Sequence, residues 1–166
     1  MGVSGSGKTT VASMLAHRLR WPFQEGDDLH PESNIEKMRA GHPLSDQDRT
    51  PWLELIADWV DKRLDAGQNA IITCSALKRA YRDVINRRHQ GVVFIFLDGS
   101  RKTVALRLAS RHGHFMPPLL LKSQFEDLER PAPDEPAIRF DVDAPPQRIV
   151  DAVIEKIGLR DPTLLE

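Results

Sequence analysis

At 166 residues the chain has the length of a single domain, and its 40% hydrophobic content is enough to bury a core. Its 23 basic and 24 acidic residues leave a formal charge of −1 with mean hydropathy −0.39, so there is no electrostatic basis for nucleic acid or an anionic membrane as main partner. The one cysteine, Cys74, excludes an internal disulfide, no apolar run could span a bilayer, and no signal peptide precedes the first motif, so a soluble cytoplasmic protein is expected.

The chain opens on Gly2-Val3-Ser4-Gly5-Ser6-Gly7-Lys8-Thr9, after which Val11, Leu15 and Leu19 recur at helical spacing. Trp21-Pro22-Phe23 predicts a short strand ending in the acidic turn Glu25-Gly26-Asp27-Asp28. Pro31 suits a first helical turn, with Ile35 and Met38 on one face. Asp46 is placed to cap a long helix carrying Trp52, Leu55, Ile56, Trp59, Val60 and Leu64, and Gly67 to close it. Asn69 to Cys74 reads as a buried strand, Leu77, Tyr81 and Ile85 as a helix, and Val92 to Leu97 as the clearest strand. Val104 and Leu108 predict another helix, and Leu121, Phe125 and Leu128 one more beyond the Pro117-Pro118 break. Arg139 to Asp143 predicts the last strand, and Ile149, Val150, Val153, Ile154 and Ile157 the last helix. Strands alternating with helices in this way predict an α/β fold, a parallel sheet with helices on both faces.

The opening motif is a phosphate-binding loop, G-x-x-x-x-G-K-T. Glycines at 2, 5 and 7 let successive backbone N–H groups of Gly2, Val3, Ser4, Gly5, Ser6 and Gly7 turn inward on phosphate. Lys8 supplies a charge for the β/γ oxygens, the Thr9 hydroxyl a ligand for Mg²⁺, and the following helix, through Thr10, its positive N-terminal end. The expected cofactors are ATP and Mg²⁺. Such a loop ordinarily follows a strand, and only Met1 precedes Gly2, so a first strand is missing. A start upstream of Met1 or a truncated chain is expected, and an N-terminally extended chain should be more stable and more active.

Glu25, Asp27 and Asp28 fall where the second strand of such a fold ends, facing the loop. Carboxylates there suit the deprotonation of an acceptor hydroxyl and the holding of hydrated Mg²⁺; a solvated acidic turn with a helix cap is the plainer alternative.

Several segments together resemble the P-loop gluconokinases. They are residues 1–9, Gly26-Asp27-Asp28-Leu29-His30-Pro31, Asn34-Ile35-Glu36-Lys37-Met38, the run from Gly41 to Leu53, Cys74 to Asp83, Gly113-His114-Phe115-Met116, and Ser123 to Glu129. The resemblance covers residues 1 to about 158 and implies a fold like the nucleoside-monophosphate and shikimate kinases, with a five-stranded sheet and a mobile lid. It implies one kinase domain over 1–158, a lid at about 111–130 and a tail over 159–166. The implied reaction is transfer of the ATP γ-phosphate to the 6-hydroxyl of D-gluconate, and a homodimer stays open.

Within that resemblance Asp27 is expected to orient and deprotonate the acceptor hydroxyl, with Glu25 holding the metal through water. Gluconate's carboxylate calls for cations, for which Arg49, Lys78 and Arg82 are the candidates. Arg49 has Asp46 and Asp48 beside it as possible ion-pair partners; Lys78 and Arg82, four apart, suit either one helical face on a cleft or a solvated basic face. His30 and His114 are candidate substrate contacts, with Phe115 beside the latter. Arg111 is assigned to the phosphates and Arg107 to adenine or a supporting role, and Ala144 and Pro145 to backbone contacts with adenine. Trp52, Trp59 and Cys74 read as core, and Asp98 as a weaker metal candidate. The rivals are a shikimate-type or other small carboxylate-sugar kinase, and a nucleotide-binding regulator without turnover.

Overall fold

The apolar stripes of the sequence become helices, and the short β-branched runs between them become strands. The computed structural model describes residues 1–88, 90–110 and 118–158, with side chains described from 120 onward in the last stretch. Helix α1 spans Lys8–Leu19, strand β1 Phe23–Gln24, a 3₁₀ turn Gly26–Leu29, α2 Glu32–Arg39 and α3 Asp46–Asp65. Then follow β2 Ile71–Ile72, α4 Arg79–Ile85, β3 Phe94–Asp98, α5 Arg101–Ala109, α6 Pro118–Asp127, β4 Ala137–Asp141 and α7 Pro146–Lys156.

The strands pair in parallel, as helical crossovers require. In one pair Phe23 faces Ile71 and Gln24 faces Ile72; in the other Phe94 to Asp98 run beside Ala137 to Asp141. The last strand thus lies two residues before the expected span, and Asp98 continues the ladder by accepting Val142 N–H at 3.0 Å. One apolar cluster, on the α3 and α4 side, holds Trp52, Ile56, Leu77, Tyr81 and Val3. The other, around α1 and α7, holds Leu15, Leu97, Phe140 and Val150.

Among the described residues the strands are four in two pairs, not five in one sheet. Met1 and Gly2 lie between the pairs. The Met1 amine donates to Ile95 O at 2.6 Å, Leu97 N–H donates to Met1 O at 3.0 Å, and Gly2 N–H donates to Ser75 O at 3.1 Å. Beyond that bridge an apolar cavity of about 390 Å³ separates Ile71 and Ile72 from Phe94 and Ile95, with Leu15 and Ile56 on its walls.

Helix α3 starts one residue earlier in logic than the sequence suggests. Its cap is Ser45 rather than Asp46: Ser45 Oγ accepts Asp48 N–H at 3.2 Å, and Asp48 Oδ2 accepts Ser45 N–H at 2.7 Å. This reciprocal box satisfies two N–H groups of the helix start without Asp46, whose carboxylate is left to point into the cleft region described below.

Candidate active site

The phosphate loop is shaped by backbone dihedrals. Gly7 caps α1 at φ 97°, a left-handed conformation costly for any residue with a Cβ, and it has no side chain to satisfy the first-turn N–H groups. Those groups face the space in front of the helix, where an anion would be received. Ser6 N–H closes the turn on Val3 O at 3.2 Å, and Lys8 Nζ returns to the same Val3 oxygen at 3.2 Å. Ser6 is 1% exposed, and its hydroxyl has no hydrogen-bond partner among the described residues. Arg107 lies against the loop, donating to Ser6 O at 3.4 Å and to Val142 O. It therefore ties the loop to the segment that runs on through Ala144 and Pro145 into α7.

The end of β1 meets the loop at Thr9, whose hydroxyl donates to Glu25 Oε2 at 2.7 Å. The other Glu25 oxygen accepts from Thr73, directly after β2. Thr73 Oγ1 also accepts Gly26 N–H at 3.0 Å. A Cβ at Gly26 would lie 1.9 Å from Thr73 O, so only glycine allows the two strand ends to approach this closely. The result is a hydroxyl and a carboxylate side by side at the loop, hard oxygen donors of the type that hold Mg²⁺ together with water and phosphate. Among the described residues no three His, Cys, Asp or Glu side chains cluster as a metal cage.

The region around the acidic turn is assembled from distant elements. Asp27 is exposed on the 3₁₀ turn. His30 stacks on Trp52 with ring centroids 4.1 Å apart, and Trp52 Nε1 donates to Gly26 O at 2.7 Å, so this core tryptophan also fixes the acidic turn. His30 Nδ1 lies 3.3 Å from Asn34 Nδ2. Burial holds the His30 pKa below its ordinary value, with the Arg49 charge acting in the same sense and Asp27 against it.

Arg49, 6% exposed, reaches Asp127 Oδ2 at 3.3 Å and Tyr81 Oη at 3.4 Å. Lys78, the residue capping α4, lies 2.8 Å from Asp46 Oδ1 and 3.6 Å from Asp127 Oδ1. Tyr81 also donates to Asp46, and its ring lies under Arg49 and Lys78. The hydrogen bond to Asp46 raises the Lys78 pKa, and the same bond, with that from Tyr81, lowers the Asp46 pKa. Two cations therefore converge beside the acidic turn, each held by carboxylates of the chain itself.

Arg82 does not join them. It is 1% exposed, and its guanidinium grips Glu135 at 2.5 and 3.0 Å and the carbonyls of Ala76, Leu77 and Glu129 at 3.0 to 3.1 Å. Every face of the fork is used inside the protein, because position 82 of the short α4 turns inward while Lys78 stands at its exposed start. Asp98 is likewise taken, by Arg130 and Arg139 at 3.2 and 2.8 Å. Cys74 is buried, and its thiol pKa is pushed up to about 12 by that burial, as befits a packed group. Arg111, His114 and Phe115 lie outside the described residues.

Three participants were not singled out from sequence. Thr73 is a polar residue in an apolar run, and Gln124 and Asp127 stand three apart on α6, where Gln124 Oε1 accepts Ser4 N–H at 2.6 Å. A polar residue closing a buried strand and a polar pair at helical spacing were the available signals.

The shikimate kinase family model matches residues 4–157. Gluconokinase of Gluconobacter oxydans (strain 621H) is 49% identical over 161 residues, covering 97% of this chain and 90% of that protein. Among solved structures, a gluconokinase from Sinorhizobium meliloti 1021 superposes with a TM-score of 0.85 at 43% identity, covering 95% of this chain and 89% of that one. A sugar kinase from Janibacter sp. HTCC2649 superposes with a TM-score of 0.91 at 45% identity, covering 97% and 93%. With a phosphate loop, an acidic turn and paired cations in one cleft region, and this similarity along nearly its whole length, the chain belongs to the gluconokinase family of shikimate-kinase-like P-loop enzymes.

Proposed function

We propose that the protein transfers the γ-phosphate of ATP to D-gluconate at its 6-hydroxyl, giving 6-phospho-D-gluconate and ADP. The observation that carries this reading is near-full-length similarity to gluconokinases, in a chain whose phosphate loop is intact. The working unit is one kinase domain over residues 1–158, with a lid at about 111–130.

In this reading the loop amides and Lys8 hold the β- and γ-phosphates, and Arg107 steadies the loop on its nucleotide side. Thr9 and Glu25 fit Mg²⁺, the hydroxyl as ligand and the carboxylate through water; the ion supplies charge neutralisation on the phosphates when bound. Arg49 and Lys78 receive the gluconate carboxylate in exchange for Asp127 and Asp46. Asp27, exposed beside the cleft, takes the proton of the acceptor hydroxyl. His30, whose pKa burial lowers, offers a hydrogen bond to a substrate hydroxyl. Arg111 and His114 keep the roles that the resemblance gives them, on phosphate and substrate. Catalysis is then positioning plus charge stabilisation, which is what phosphoryl transfer demands of a protein.

ADP release, coupled to an indicator reaction, tests the reading across D-gluconate, gluconate epimers, shikimate and AMP. Gluconate is expected to stimulate release far above the no-acceptor blank and above every other acceptor. Release no faster than the blank would remove the assignment.

A further inference from the structure

Helix α6 reaches both halves of the site. Gln124 Oε1 accepts Ser4 N–H from inside the phosphate loop at 2.6 Å, a contact joining residues 120 apart in sequence. The same peptide unit, through Val3 O, receives Lys8 Nζ at 3.2 Å. Gln124 therefore stands beside the part of the loop where the lysine ammonium meets the β- and γ-oxygens of a bound nucleotide. One turn further along α6, Asp127 lies 3.3 Å from Arg49 and 3.6 Å from Lys78, the cations of the acceptor side. Three helical residues advance about 4.5 Å along the axis, so Gln124 and Asp127 bracket the line the phosphoryl group must cross.

We propose that Gln124 is a further catalytic residue: its oxygen stays on Ser4 N–H while its Nε2 donates a hydrogen bond to an oxygen of the transferring γ-phosphoryl group. A carboxamide suits this task because its two ends have opposite polarity. The oxygen anchors on a loop amide, and that anchor turns the NH₂ end outward with two donors and no net charge. A glutamate of the same shape would keep the anchor but set a negative oxygen against the phosphoryl oxygens. The donor gains strength as charge shifts on the γ-oxygens, so it belongs to the transition state more than to ground-state binding.

This proposal rests on the phosphotransferase reading, and the test separates the two. Gln124→Glu and Gln124→Ala are compared with the parent chain for thermal midpoint, affinity for ADP and for the ATP analogue AMPPNP by calorimetry, and kcat and KM with gluconate. Gln124→Ala is expected to lower kcat by about 10²-fold, the cost of losing one oriented donor, and Gln124→Glu by more, because it also sets a negative oxygen against the phosphoryl group. Gln124→Glu should weaken AMPPNP by about tenfold while leaving ADP and the gluconate KM within about twofold, because only the γ-phosphate faces position 124. Equal weakening of ADP and AMPPNP, or kcat within about threefold of the parent in both variants, would overturn it. If the parent chain itself released no ADP with gluconate, the substrate reading would fall, and the AMPPNP-to-ADP affinity ratio would still decide the role of Gln124.

Discussion

The phosphate side and the acceptor side of the cleft are built by opposite means. The phosphate side is eight consecutive residues shaped by backbone dihedrals, with Gly7 at φ 97° and the first turn of α1 behind it, while the N–H groups of Gly2, Ser4 and Ser6 are held by Ser75 O, Gln124 Oε1 and Val3 O. The acceptor side gathers side chains from the 3₁₀ turn, α3, α4 and α6, and its cations are already held: Arg49 by Asp127, and Lys78 by Asp46 and Asp127. The N–H groups at the start of α1 can receive an anion without displacing a carboxylate. A balanced charge network must exchange one carboxylate for another, so its affinity is a difference between two similar interactions. Changes on the acceptor side should therefore move KM modestly, unless they touch the residue that meets the reacting oxygen.

Asp27 is the residue proposed for that role, and it gives the largest expected effect. Asp27→Asn keeps the shape of an exposed side chain while removing the base, so ATP binding should persist and kcat fall by about 10²–10⁴-fold. Single-turnover kinetics with gluconate, alongside nucleotide affinity, measure this. Near-normal turnover would place proton removal elsewhere and make the acceptor side a binding surface only.

The same contrast explains what the sequence disclosed. A site made of contiguous backbone is written in contiguous letters, so Gly2 to Thr9 could be read directly. Glu25 was legible because a strand end beside such a loop is a fixed place in the fold, and Thr9 does meet it. Lys78 and Arg82 were not separable, since spacing of four puts two residues on one face without saying which end of a short helix is covered. The buried partner that decides the matter, Glu135, lies 53 residues away, in a loop between helix and strand. Gln124 and Asp127 were hidden for the same reason: their partners Ser4, Arg49 and Lys78 are fixed by tertiary packing, on which local periodicity is silent.

Arg82 and Lys78 sharpen the comparison as a pair. Arg82→Ala would leave the Glu135 carboxylate, 5% exposed, without its partner and strip three carbonyls of a donor, one of them on Ala76, which sits at φ 43°. A loss of about 3–5 kcal/mol in unfolding free energy is expected, with the gluconate KM of the remaining folded protein little changed. Lys78→Ala should do the reverse, raising the gluconate KM by about tenfold, the worth of one charged hydrogen bond, at small cost in stability. Urea titrations and substrate saturation curves on both variants check this. Interchanged results would mean that Arg82 swings into the cleft and the buried pair is not its resting place.

The last effect concerns a titrating group beneath the phosphate loop. In a chain whose first residue is Met1, burial, then the Lys8 charge, lower the Met1 amine pKa to about 5 from an ordinary value of 8.0. A base whose folded value lies below its unfolded one binds more protons when unfolded throughout that interval. Stability should therefore rise with pH from about 5 to about 8 and level off above, by at most about 1.4 kcal/mol per unit. His30, also depressed, adds a slope of the same sign below its ordinary 6.5. Asp48, held at about 2 first by Lys37 and then by Ser45, titrates well below this window, so it does not offset the trend. Urea midpoints at about pH 6 and about pH 8.5 should differ in favour of the higher pH, and acetylating the amine should remove most of the difference. An unchanged slope after acetylation would show that the amine is solvated in solution, and that the bridge from Met1 to Ile95 does not hold the loop against β3.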